Sequence, residues 1–137
     1  MIGVPYNPQD DYQLFYVIKT GKEIDDYEIV NLKTGLVFSE DGKEILLEFG
    51  KQKSSQLFAI TKANIPSFYT YYWIKTSEKG DKSVYFEGFA KFGLFDPNSE
   101  SHLWRFEEVK LNNTLNQSCL IINRLSGKAL DVPGSVL

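Results

Sequence analysis

The chain has 137 residues, 42% hydrophobic, 15% aromatic and 24% charged, enough apolar material to bury the core of one ordinary domain without staples. A net charge of −3 with no basic cluster argues against nucleic acid or an anionic membrane as the main partner, because phosphate binding needs concentrated Lys and Arg. The single cysteine, Cys119, excludes an internal disulfide and fits a reducing compartment.

In chain order, Ile2–Pro5 is a short apolar piece, and a turn at 7–11 leads into an alternating strand over Gln13–Thr20. Strands are then expected at Tyr27–Leu32 and Leu36–Ser39, with a Thr34-Gly35 turn between them. Asp41-Gly42 is a hairpin signal before the next strand, Ile45–Phe49. A polar loop precedes Gln56–Lys62, and Ile65-Pro66 precedes Phe68–Lys75. Ser83–Glu87, Phe89–Phe95, His102–Lys110, Ser118–Asn123 and Lys128–Val132 complete the series. Helical periodicity of apolar residues is not sustained anywhere, and Gly, Asn, Asp and Pro punctuate runs of strand length. The N-terminus MIGVPYNPQDD has neither a basic n-region nor an apolar h-region, and no run approaches transmembrane length. The expectation is a soluble domain, cytoplasmic or secreted.

A short phrase organises these elements. Gln13-Leu14-Phe15, Gln56-Leu57-Phe58 and His102-Leu103-Trp104 are spaced 43 and 46 residues apart, and the path from His102 through both termini to Gln13 is 48 residues. Seven residues before each polar anchor stands an aromatic: Tyr6, Phe49 and Phe95. A second run, Ile29-Val30-Asn31-Leu32-Lys33-Thr34-Gly35, recurs 92 residues later as Ile121-Ile122-Asn123-Arg124-Leu125-Ser126-Gly127. The middle copy, Tyr72-Trp73-Ile74-Lys75 with Gly80, is degenerate. The pattern predicts a closed all-β barrel of three four-stranded units, at about 16–61, 62–109, and 110–137 joined to 1–15.

These residues resemble the ricin-type lectin β-trefoils, whose units carry a Gln-x-Trp strand and an Ile-x-Asn…Ser-Gly-x-x-Leu-Asp-Val run. Ile122-Asn123…Ser126-Gly127-Lys128-Ala129-Leu130-Asp131-Val132 fills the second pattern, while the first has Phe for Trp twice and His for Gln once. The order of units looks circularly permuted, with the third unit split between the two ends of the chain, or like a window cut from a longer repeated array. Val4-Pro5-Tyr6-Asn7-Pro8 is also similar to the Euonymus-type plant lectin trefoils.

The resemblance implies a sugar pocket made by the Asp of the Leu-Asp-Val run, an aromatic at the end of the third strand and polar groups near the anchor. A carboxylate accepts two hydroxyls, an aromatic face packs on the apolar face of a sugar, and amides fix its orientation. Carried onto this chain, the pocket uses Asp131, Tyr6 and Gln13, with Asn7 and Asp11 as further polar partners. It would take galactose or N-acetylgalactosamine-type glycans. Tyr12 stands where the family has Asn. Aligned on their glycines, Ser39 and Tyr85 fill the position of Asp131 in the other two units, which are expected to serve as scaffold. Each candidate also has a plainer role: Gln13 and Gln56 can satisfy backbone groups, Tyr6 can cover the barrel end, and Asp131 can cap the turn before Pro133-Gly134.

His102 reads as a hydrogen-bonding structural residue and Cys119 as a buried small hydrophobe. No catalytic triad, metal-ligand spacing or cofactor motif is visible, so the expectation is a non-enzymatic protein with no cofactor. Asn112-Asn113-Thr114 and Asn116-Gln117-Ser118 match the glycosylation acceptor but read as a polar inter-unit loop. A weak single site would gain useful avidity from a homo-oligomer. The alternatives are a protease inhibitor acting through the loops 63–67 or 111–117, and an accessory protein-interaction module.

Overall fold

The computed structural model describes residues 2–5, 7, 9–20, 26–51, 53–76, 81–109 and 118–132. Its strands run β1 (Ile2–Val4), β2 (Phe15–Lys19), β3 (Tyr27–Asn31), β4 (Val37–Asp41), β5 (Glu44–Glu48), β6 (Phe58–Lys62) and β7 (Tyr72–Thr76). They continue with β8 (Lys82–Glu87), β9 (Phe89–Leu94), β10 (Trp104–Val109), β11 (Ser118–Asn123) and β12 (Ala129–Asp131). No α-helix occurs among the described residues, and none of their helices is long and apolar enough to cross a membrane.

Six strands close on themselves. Antiparallel pairing runs from β2 to β3, β6, β7, β10, β11 and back to β2, leaving no open edge in the ring. The register repeats with the sequence. Phe15 faces Asn31, Phe58 faces Thr76 and Trp104 faces Asn123; between units Tyr27 meets Phe58, Tyr72 meets Trp104 and Cys119 meets Phe15. The other six strands form the pairs β4–β5, β8–β9 and β12–β1. The last pair joins the two ends of the chain within one molecule, with Ile2 opposite Asp131, Gly3 opposite Leu130 and Val4 opposite Ala129. Gly3 lies against the Phe86 ring, where a Cβ has no room.

The core follows from this register. Alternation along each barrel strand turns every second side chain inward, and Phe15, Phe58 and Trp104 are fully buried together with Phe38, Phe92, Ile74, Ile121 and Leu130. The Phe58 and Phe92 rings stack at 5.7 Å, and Phe15 meets Phe38 edge to face at 5.3 Å. Trp104 donates its indole N–H to the carbonyl of Val84 at 2.9 Å. The Cys119 thiol is buried in this cluster, which pushes its pKa up to about 12 and leaves it inert near neutral pH.

Two details differ from the sequence reading. The polar anchors do not open the strands; Gln13, Gln56 and His102 each close a three-residue 3₁₀ turn, and the aromatic two residues later begins the strand. The strand expected from Phe68 begins at Tyr72, because the Ala63 N–H bonds to the carbonyl of Tyr71 and closes 64–70 into an outward loop.

The asparagines of the second repeat are latches. Asn31 donates through Nδ2 to the carbonyls of Tyr12 and Leu14, at 3.0 and 3.3 Å, and its Oδ1 accepts the Thr34 N–H at 3.1 Å. Asn123 does the same with Ser101, Leu103 and Ser126. In both, the next turn ends on a glycine with positive φ, Gly35 or Gly127, whose N–H bonds the Asn carbonyl. In the middle unit Thr76 takes this position and is too short to reach. Its hydroxyl is buried without a partner among the described residues, and a cavity of about 90 Å³ lies between Thr76, Ser54, Ser55, Leu57, Phe58 and Glu40. Thr76→Asn is therefore expected to stabilise the protein by about 1–2 kcal/mol, by filling space and adding buried hydrogen bonds. Chemical denaturation measures it; an unchanged or lower midpoint would contradict the latch.

Candidate ligand-binding site

The 3₁₀ turn Asp11–Gln13 is fixed from both ends. Asp10 caps it, accepting the Tyr12 N–H at 3.0 Å, and Gln13 accepts the Asn7 N–H at 2.7 Å while donating to the carbonyl of Pro5 at 3.4 Å. Gln56 repeats the device, accepting from the Lys51 N–H at 2.8 Å and donating to the Phe49 carbonyl at 3.0 Å. Buried anchor amides thus tie each turn to the strand before it. Gln13, only 3% exposed, already spends both ends of its amide on backbone, so it positions the site more than it offers a free group to a ligand.

The Asn31 latch brings the turn after β3 against this 3₁₀ turn, and that places Lys33 over the Tyr12 ring, 6.0 Å from its centre. Between them lies an open cleft of about 420 Å³ lined by Asn7, Gln9, Asp10, Asp11, Tyr12 and Lys33. It is shallow and open to solvent, a surface on which one ring could rest but not be enclosed. Of the residues expected from sequence, Asn7 and Asp11 line the cleft, and the Asn7 side chain also accepts the Gln9 N–H at 3.1 Å. Tyr6 lies outside the described residues.

Asp131 is not part of the lining but adjoins it. The next residue, Val132, donates its N–H to the carbonyl of Tyr12 at 3.2 Å. Asp131 Oδ1 is buried with no hydrogen-bond partner among the described residues. Burial, and secondarily the charge of Asp10, raises the Asp131 carboxyl above the ordinary carboxylate value. A carboxyl whose folded pKa is raised withdraws stability as pH rises through the window between its unfolded and folded values. Asp131→Asn is accordingly expected to melt higher than wild type at pH 7, with the difference shrinking towards pH 3. Thermal melts at the two pH values measure this; equal melting at pH 7 would contradict it.

The equivalent positions in the other units are spent internally. Register places Val37, Ser83 and Ala129 in equivalent pairs, so Ser39, Tyr85 and Asp131 correspond. Ser39 is buried and donates to the Ser55 hydroxyl at 3.3 Å. The Tyr85 ring stacks on His102 at 4.9 Å and carries the Lys91 ammonium 5.3 Å above it. His102 is within 2.5 Å of the Ser83 hydroxyl through Nδ1, and burial lowers its pKa against the opposing charge of Asp96. The third-strand aromatics diverge too: Phe49 is 78% exposed, whereas Phe95 meets Trp73 edge to face at 5.1 Å under the Lys75 ammonium.

Sequence reasoning missed Gln9, Asp10 and Lys33 and treated Tyr12 only as a substitution for Asn. Asp10-Asp11 beside an anchor glutamine was a usable signal for a capped turn. Lys33 was not, since it is 21 residues from Tyr12 and reaches it only through tertiary packing. Of the two loops considered for protease inhibition, the first has Ile65 packed against the cluster of Ala63, Tyr71 and Leu103 with Asn64, Pro66 and Ser67 exposed, and 111–117 lies outside the described residues. Among the described residues no group of three or more His, Cys, Asp or Glu could hold a metal ion. No protein-family profile matches the sequence, and no curated protein is significantly similar to it.

Proposed function

We propose that the chain is a carbohydrate-binding β-trefoil, lectin-like and non-enzymatic, with one working pocket at the junction of its two ends. The observation that carries this reading is the half-buried Asp131 carboxylate, whose Oδ1 has no hydrogen-bond partner among the described residues and which adjoins an open cleft, while both its counterparts are engaged inside the protein. A buried acceptor without a donor is costly, and a sugar hydroxyl is a donor of the right kind. Tyr12 offers an aromatic surface and Asn7, Gln9 and Asp11 offer amides and a carboxylate, a set suited to a neutral polyhydroxylated ring. Two acids against one lysine along the lining weigh against an anionic ligand. The repeated Gln-Leu-Phe and Ile-x-Asn…Ser-Gly phrases, and their likeness to ricin-type lectins, favour terminal galactose or N-acetylgalactosamine. One open site of this kind binds weakly, so avidity would come from clustered copies.

A glycan array probed at high protein loading, wild type beside Asp131→Ala, tests the reading. Binding to terminal galactose or N-acetylgalactosamine that disappears in the variant is expected. Silence of the wild-type protein across the array would refute carbohydrate binding, and binding that survives the substitution would refute this pocket.

A further inference from the structure

The loop between β6 and β7 carries a second feature, an aromatic ladder. Its root is Tyr71, buried against Ala63 and Leu103. Tyr69 meets Tyr71 edge to face at 6.4 Å, and Phe68 meets Tyr69 at 5.0 Å with the rings perpendicular. The Arg105 guanidinium lies 4.2 Å over Tyr69 and that of Arg124 lies 5.0 Å over Tyr71. Phe68 ends up 95% exposed against the Tyr69 ring, while Tyr69, 46% exposed, is held by the Tyr71 ring and the Arg105 guanidinium. A ring held as Tyr69 is loses little conformational freedom when something packs on it, and Phe68 extends the aromatic surface beside it.

Charge and area narrow what that something is. Arg105 is paired with Glu107 at 2.8 Å and Arg124 with Glu100 at 3.5 Å, so the patch offers no surplus positive charge to a phosphate or an acidic peptide. Two aromatic side chains supply at most about 400 Å², well short of the roughly 800 Å² per partner of a standard protein interface. Their neighbours Asn64, Ser67 and Thr70 are exposed and polar. The patch is small, neutral and aromatic, and the apolar C–H face of a pyranose ring matches it.

We propose that Phe68 and Tyr69 form a second saccharide-contact platform, for one ring of a neutral oligosaccharide, separate from the Asp131 cleft. This inference rests on the proposed function only for the class of ligand. The test is an NMR titration with neutral hexasaccharides of glucose, mannose, galactose and N-acetylglucosamine, following the ring protons of Phe68 and Tyr69. Wild type, Phe68→Ala, Phe68→Trp and Asp131→Ala are compared, with free galactose run in parallel to report on the cleft. At least one hexasaccharide is expected to shift the platform rings. Phe68→Ala should weaken that binding about fivefold, while Phe68→Trp and Asp131→Ala retain it. A Phe68→Ala protein that binds the hexasaccharide as wild type does, or a wild type that binds none, would overturn the platform. Loss of galactose binding in Asp131→Ala scores the cleft separately, so either site can fail while the other stands.

Discussion

Asn123→Ala is expected to destabilise the protein by about 3 kcal/mol and to lower its melting temperature by about 10 °C. The side chain is 1% exposed and makes three hydrogen bonds, donating to Ser101 O at 2.9 Å and Leu103 O at 3.4 Å and accepting from Ser126 N at 3.0 Å. Each bond contributes about 1 kcal/mol, and truncation also removes a donor from the carbonyls of Ser101 and Leu103, the latter keeping the Arg124 N–H at 2.9 Å. Asn31 makes the matching bonds in the first unit, so Asn31→Ala should behave alike. A loss below 1 kcal/mol in urea denaturation of both variants would contradict the latch. Thr76 is the internal comparison: the same position without the amide has a hydroxyl with no partner among the described residues and an adjoining cavity.

The second large effect is on binding. Asp131→Ala is expected to cost glycan affinity ten- to a hundredfold, the equivalent of about 1.5–3 kcal/mol for hydrogen bonds to a charged group. The same substitution should not destabilise the fold in proportion, because Oδ1 has no partner among the described residues to lose and the carboxylate is unfavourably placed beside Asp10. Loss of ligand without a matching loss of stability is the opposite of what a turn-capping aspartate would give. A group kept at a cost to the fold is one whose benefit lies in what it binds. Titration calorimetry and thermal melts on the same samples separate the two accounts: lower stability with unchanged affinity would assign Asp131 to capping.

Much of the architecture is legible in the sequence. Alternating runs, the Asp41-Gly42 hairpin and the recurrence of Gln-Leu-Phe carry the strands and the spacing of the units, since side-chain alternation and turn chemistry are local. The degenerate middle copy of the asparagine run, around Tyr72–Thr76, was legible too, although its consequence, a cavity at Thr76, is not a local property. The 3₁₀ turns went unseen because three residues are too few to show a period. The aromatic run Phe68–Trp73 has the composition of a strand throughout, and the Ala63–Tyr71 bond explains why the chain bulges before Tyr72. In the cleft, Asn7 and Asp11 were legible from their distance to the anchor, whereas Lys33 depends on Asn31 fastening one turn to another.

The most direct measurement of the central claim is an amide NMR titration of the wild-type protein with galactose and N-acetylgalactosamine. Binding at the junction of the chain ends should move Asn7, Gln9, Asp10, Asp11, Tyr12, Lys33 and Asp131 together, leaving the counterparts around Ser39 and Tyr85 still. Shifts centred on Ser39 or Tyr85 instead, or no shift with either sugar, would contradict a single working pocket at Asp131.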